Sequence, residues 1–227
     1  DKPDLRNPLK IIDLSEFFSR CTFKPFIGAT VRAIKVHADM SKGFHEKLLE
    51  YALSIGMGGL GYLEVGEDLS FKGPIDKFIP APLKAELVSL AGLEFGDTIF
   101  FIADTPERAP RLAGQIRREL GERLSLIEEG AFRFCFINDF PMYELDEETG
   151  KIGFTHNPFS MPQGGLEALE SKDPLEILAY QYDIVCNGVE LSSGAVRNHD
   201  IDIMKKAFEI AGYSEEELKV KFGALYT

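Results

Sequence analysis

Between Tyr182 and Asp200 the sequence reads YDIVCNGVELSSGAVRNHD, and three of its side chains could do chemistry together. Asp183 and Glu190 flank an Asn-Gly pair, and Arg197 follows Glu190 at the same seven-residue spacing that separates the two acids. Converging carboxylates hold a hard cation such as Mg²⁺ through oxygen ligands. A guanidinium offers a planar fork of donors that fits a carboxylate. Asn187-Gly188 between apolar residues is a strong signal for a two-residue hairpin turn. With the turn there, Cys186 faces Val189, Val185 faces Glu190, Ile184 faces Leu191 and Asp183 faces Ser192. Alternation then puts Asp183, Val185, Glu190 and Ser192 on one face. The two acids become diagonal neighbours at about 7–8 Å between backbones. The opposite face, with Ile184, Cys186, Val189 and Leu191, is expected to be core. Arg197 misses the acidic face by simple alternation, and a bulge at Ser193-Gly194 would flip the parity and bring it round. The plain alternative is a hairpin whose polar face is only solvated, with Asp183 and Glu190 as surface acids.

Other residues carry weaker signals. His156, in GFTHNPFSMP, is either a substrate contact through its near-neutral pKa or a turn residue. His37 reads as a strand residue, His45 as a helix-surface residue, and His199 as part of a helix start that Asp200 would cap. No histidine pair has metal spacing. The glycines from Gly56 to Val65 run helix, loop, strand, the reverse of a phosphate cradle. There is no G-x-S-x-G and no G-K-[ST], and Ser192-Ser193 has no base beside it in sequence, so nucleophilic catalysis is not indicated.

The elements that must position these residues fall into two regions. Across residues 11 to 125, strands and helices alternate, which predicts a two-layer α/β unit. Thr30–Ala38 reads as a strand and Ser41 caps a helix that Gly56 ends. GGLGYLEV leads into a strand, and a helix entered through Pro82 lies within Lys77–Leu93. Asp97–Asp104 is a buried strand. Thr105-Pro106 starts a helix with the stripe Ala109, Leu112, Ala113, Ile116 and Leu120, and Gly121 is its expected stop. From 126 onward, Phe132, Phe134 and Phe136 alternate on one strand face. MYELDEETGKIGFTH reads as a hairpin turning near Glu148-Thr149-Gly150. A loop with a short helix follows, then the opening hairpin. One helix carries Ile201, Met204, Phe208 and Ala211 and stops at Gly212, and another opens on the capping box Ser214–Glu217. Antiparallel strands backed by helices make the whole chain α+β.

Composition sets the outer limits. The 227 residues include 25 Lys+Arg against 37 Asp+Glu, a formal charge of −12 that repels phosphate backbones and excludes broad nucleic-acid binding by this segment alone. Three scattered cysteines, Cys21, Cys135 and Cys186, suit a reducing compartment. No apolar run reaches the length of a membrane span and no secretory leader opens the chain. It begins with Asp1 rather than Met and reads as a segment cut from a longer protein.

Taken together, DKPDLR, INDFPMYE, THNPFSMPQGG, YDIVCNGVELSSGAVRNHD and EEELKVKFGALY resemble bacterial-type aspartyl-tRNA synthetase, a class II aminoacyl-tRNA synthetase. The resemblance spans the chain and is strongest from Phe132 onward. It implies a GAD-like insertion domain at 11–125 and part of an antiparallel-sheet catalytic domain at 1–10 and 126–227. It implies a ligase that activates L-aspartate with ATP and transfers it to tRNA, cytoplasmic and homodimeric as the intact parent, with no membrane partner. Asp183 and Glu190 match the family's acids for ATP-bound Mg²⁺, Glu190 also touching ATP. Arg197 matches the grip on the substrate's side-chain carboxylate, and His156 the histidine that closes over it. Ser193 stands where many members carry a glycine run, which opens a hydroxyl contact there. Asn157 stands where a second histidine is common. By the family's standard the segment lacks the anticodon-binding barrel and both ATP-binding arginine motifs, so alone it is expected not to charge tRNA. The competing reading is a non-catalytic RNA-associated or structural module built on the GAD-like region. Whether tRNA-Asn is charged besides tRNA-Asp is left open.

Overall fold

Residues 2–146 and 148–223 are described in the computed structural model, so the end of the terminal motif EEELKVKFGALY lies outside the described residues. The chain divides into two units, Asn7–Glu129 and Asp1–Arg6 with Gly130–Thr227. Each combines helices with antiparallel sheet, which makes the chain α+β. Among the described residues no helix is long and apolar enough to cross a membrane.

In the Asn7–Glu129 unit, β1 (Ile11–Asp13), β2 (Thr30–His37), β3 (Gly61–Val65), β4 (Phe71–Lys72) and β5 (Asp97–Asp104) form an antiparallel sheet in the order β1-β2-β5-β3-β4. The unbroken apolar run of β5 has a direct cause, since both of its faces are buried. Ile99 and Phe101 pack with α1 (Ser15–Ser19) and α3 (Ala81–Ala91). Phe100 and Ile102 pack with α2 (Lys42–Ser54) and α4 (Arg108–Arg123). Helices therefore cover both faces, one helical layer more than the two-layer reading.

Local signals set most boundaries. Ser41 Oγ accepts from the Phe44 N–H at 3.2 Å and starts α2. The stripe of α4 is buried as its spacing predicts. Gly121, however, lies within α4 and does not stop it. A Cβ there would sit 2.3 Å from Asn7 Nδ2, which donates to the Arg117 carbonyl at 2.8 Å. The glycine makes room for a buried amide. His45 also departs from expectation. Its side chain is largely buried, stacked on Tyr62 with ring centroids 4.2 Å apart, and its Nε2 lies 3.1 Å from Glu64 Oε1.

The second unit contains β6 (Phe134–Pro141), β7 (Tyr143–Leu145), β8 (Ile152–Phe154), α5 (Gly165–Ser171), β9 (Leu178–Cys186), β10 (Val189–Ala195), α6 (Ile201–Ile210) and α7 (Glu215–Phe222). β10-β9-β6 form one antiparallel sheet and β7-β8 a separate hairpin. Met142, Tyr143, Leu169, Ile177, Ala179 and Ala207 build its larger core. The Tyr143 hydroxyl donates to the Ala207 carbonyl at 3.0 Å, and burial pushes its pKa well up. A second cluster joins Met204 and Phe208 of α6 to Leu218 of α7. Asp200 caps α6 by accepting from the Asp202 and Ile203 N–H groups at 2.9 and 3.1 Å.

Candidate functional site

The β9–β10 turn is where the Asn-Gly pair places it. Asn187 and Gly188 both have positive φ, +51° and +81°, as a type I′ turn requires. Val189 pairs with Cys186 and Glu190 with Val185. The ladder then skips Leu191: Ser192 pairs with Ile184, Ser193 with Asp183 and Ala195 with Gln181. The bulge thus falls at Leu191 rather than at Ser193-Gly194. One consequence corrects the expected faces. Ser193, not Ser192, shares the face of Asp183, Val185 and Glu190. The same extra residue flips the parity downstream, so continuing the alternation puts Arg197 on that face too.

Burial corrects the expected core. Of the expected core face, Cys186 is buried and Ile184 half-buried, but Val189 and Leu191 are 59% and 56% exposed, while Val185 on the acidic face is fully buried. The reason lies in what covers the acidic side. Ala179 packs into the larger core, and the loop between β8 and α5 folds over Gln181. Phe134, Phe136, Tyr180 and Tyr182 stand exposed on the opposite side of the sheet.

That loop gathers the remaining candidates. The Arg197 guanidinium donates through Nη1 to Asn157 Oδ1 at 3.2 Å, and Gln181 Nε2 donates to the Asn157 carbonyl at 3.1 Å. A side chain of β9 and one just beyond β10 meet one loop residue, which supports the shared face for Gln181 and Arg197. His156 packs edge-on against Phe140, ring centroids 5.1 Å apart. Gln163 Nε2 donates to Asp139 Oδ1 at 2.6 Å and ties the end of the loop to β6, where Asp139 sits at φ +59°. The Arg197 carbonyl lies 3.3 Å from His199 Nδ1.

The two acids differ in their partners. Glu190 Oε2 lies 3.1 Å from Lys2 Nζ. The Asp183 side chain makes no hydrogen bond or ion pair among the described residues, and the residue is half-buried. Among the described residues no three His, Cys, Asp or Glu side chains are grouped to hold a metal ion. The pair therefore supplies two oxygen-bearing groups, a set suited to a hard cation that keeps water or phosphate as its other ligands.

A family model for tRNA synthetases class II (D, K and N) matches residues 1–227. The chain belongs to this family. Among curated relatives of this class II synthetase chain is the aspartate–tRNA(Asp/Asn) ligase of Rickettsia akari (strain Hartford), 53% identical over 236 residues, which cover 99% of the chain and 39% of the relative. The proteins of that name from Rickettsia felis (strain ATCC VR-1525 / URRWXCal2) and Ehrlichia canis (strain Jake) are 52% and 50% identical, with the same coverage. The chain thus spans about two-fifths of the length of the curated relatives it matches.

Sequence reasoning missed four polar residues that make contacts in this arrangement: Lys2, Ser160, Gln163 and Gln181. Only Asn157 carried a local signal. Asn-Pro marks a turn, and Asn157 Oδ1 indeed accepts from the Phe159 N–H at 3.0 Å. The others act across long sequence separations that no local pattern encodes.

Proposed function

We propose that the chain carries the amino-acid and ATP site of an aspartate–tRNA ligase. In that reaction a carboxylate oxygen of aspartate attacks the α-phosphate of ATP, pyrophosphate leaves, and the aspartyl group then passes to tRNA. Arg197 holds the side-chain carboxylate of the substrate and His156 closes over it. Asparagine is rejected because its amide leaves the guanidinium without an anionic partner. Asp183 and Glu190 hold Mg²⁺ with ATP, and Glu190 also contacts the nucleotide. The donor set fits: two hard carboxylates share one sheet face, and neither is locked in a buried ion pair. When bound, Mg²⁺ offsets the negative charge of the phosphates. Ser193, opposite Asp183 on the same face, adds a hydroxyl.

Residues 11–125 form the GAD-like insertion, and residues 1–10 with 126–227 belong to the catalytic domain. The intact ligase is a cytoplasmic homodimer with no membrane partner. The relatives' names point to tRNA-Asp and tRNA-Asn as acceptors, and charging assays with both tRNAs decide that point.

One observation carries this reading: the turn at Asn187-Gly188 sets Asp183 and Glu190 on one face, and the bulge at Leu191 flips the parity so that alternation brings Arg197 to it as well. The test is Glu190→Gln in the full-length protein. Aspartate-dependent ATP–pyrophosphate exchange should fall by about 100-fold or more. Unchanged exchange removes Glu190 from the metal site.

A further inference from the structure

Each of the two oxygens of Asn157 serves twice. Oδ1 accepts from the Phe159 N–H at 3.0 Å and from Arg197 Nη1 at 3.2 Å. The carbonyl oxygen accepts from the Ser160 N–H at 3.2 Å and from Gln181 Nε2 at 3.1 Å. Gln181 is buried, and its amide also donates to the Oγ of fully buried Ser160 at 2.7 Å. A rigid buried pair thus fixes the backbone of Asn157, and the Asn157 side chain fixes an exposed arginine.

An exposed arginine samples many rotamers and loses that freedom when it grips a ligand. A tether at Nη1 removes part of the loss in advance. Among the described residues this is the hydrogen bond that Arg197 makes through its side chain, so its Nε–Nη2 edge is left open. That edge presents two parallel N–H donors, the geometry that a carboxylate accepts in bidentate fashion.

We infer that Asn157 is a positioning residue, which holds Arg197 by Nη1 so that the Nε–Nη2 edge meets the side-chain carboxylate of the substrate. The inference rests on the reading of Arg197 as the aspartate anchor. Neutrality of the acceptor is part of the device. A carboxylate at this position would keep the hydrogen bonds to Phe159 and Arg197 but cancel the charge that attracts the substrate.

The experiment is aspartate-dependent ATP–pyrophosphate exchange by the full-length protein, with KM for aspartate and for ATP measured separately. Asn157→Asp preserves shape and both acceptor roles, so a residue that only builds the loop would tolerate it. The expected result is a KM for aspartate raised about tenfold or more, with KM for ATP and the thermal midpoint unchanged. Asn157→His supplies a second readout. A neutral imidazole accepts from Nη1 and a protonated one does not. KM for aspartate in this variant should rise as pH falls below about 6.5, relative to the wild-type profile, which already contains His156 and His199. An unchanged KM for aspartate in Asn157→Asp overturns the inference, as does a parallel rise in both KM values with a lowered thermal midpoint. If Arg197→Ala raises KM for aspartate while Asn157→Asp does not, the inference alone fails. If Arg197→Ala also leaves it unchanged, the anchor reading fails and takes the inference with it.

Discussion

Lys2 Nζ lies 3.1 Å from Glu190 Oε2, so the start of the chain reaches the same carboxylate that the hairpin presents beside Asp183. Both side chains are well exposed, and an ion pair of this kind contributes about 0–1 kcal/mol. On the proposed reading, a divalent cation with bound phosphate would displace it. Lys2→Ala should therefore leave exchange activity nearly intact and lower the Mg²⁺ concentration at half-maximal rate by no more than about fivefold. An Mg²⁺ titration of ATP–pyrophosphate exchange measures this. A loss as large as that of Glu190→Gln would instead make Lys2 part of the grip on ATP.

The bulge yields a prediction with two opposite arms. Leu191 has no partner in the ladder, and Ser192 already pairs with the residue next to the partner of Glu190. Deleting Leu191 straightens the strand without changing which residues face Asp183, so measurable activity should survive with a changed local twist. Inserting one alanine after Ser193 shifts Arg197 to the face of Phe136 and Tyr182 and should abolish aspartate-dependent exchange. Equal activity of the two variants would show that strand parity does not position Arg197.

How far the sequence foretold this arrangement depends on the range of the signal. The turn at Asn187-Gly188 was legible because positive φ at two adjacent residues selects those residue types. The α4 stripe was legible because one helical period governs it. The bulge position was not, since Leu191 and Ser193-Gly194 satisfy local backbone rules equally and the cross-strand ladder decides between them. The expected core face holds at Cys186 but fails at Val189 and Leu191, for a similar reason. Ile184, Val189 and Leu191 are more apolar than the Asp183 face, yet Ala179 and Gln181 meet the core and the loop that follows β8. Arg197 could be chosen by its chemistry, but its partner Asn157 lies forty positions away and became visible only in three dimensions.

Gly121 offers a test of packing against propensity. In an exposed helix, Gly→Ala gains up to about 1 kcal/mol. Here the added methyl would meet Asn7, whose amide is buried, donates to the Arg117 carbonyl and accepts from the Leu9 N–H at 3.0 Å. That side chain cannot swing aside without leaving buried polar groups unpaired. Overpacking of about 1–3 kcal/mol should win, so Gly121→Ala destabilises the Asn7–Glu129 unit. Hydrogen exchange of the α4 amides reads the change. Adding Asn7→Ala to Gly121→Ala should recover part of the protection; no recovery would place the strain elsewhere.

Acid should loosen α7 before it loosens α6. Glu217 Oε2 accepts from the Ser214 N–H at 2.8 Å and the Ser214 hydroxyl at 3.0 Å, while Ser214 Oγ accepts from the Glu217 N–H. The main-chain hydrogen bond from Ser214, followed by its hydroxyl, holds the Glu217 carboxyl below the usual carboxylate range. Glu215 is lowered in the same direction by Lys219 and then Lys205. A carboxyl whose folded pKa lies below its unfolded value of about 4.3 gives its full stabilisation above that value. The contribution is lost as pH falls through the folded pKa. Protection of the Leu218–Phe222 amides, corrected for intrinsic exchange, should therefore hold from neutral pH to about pH 5 and decline below about pH 4. Glu217→Gln keeps an acceptor for Ser214 but does not titrate, so its decline should be shallower and carried by Glu215. In α6 the cap is Asp200, and Tyr143 and Phe208 anchor the helix to two clusters, so its protection should outlast that of α7. A decline equally steep in Glu217→Gln would assign the acid sensitivity to groups outside the capping box.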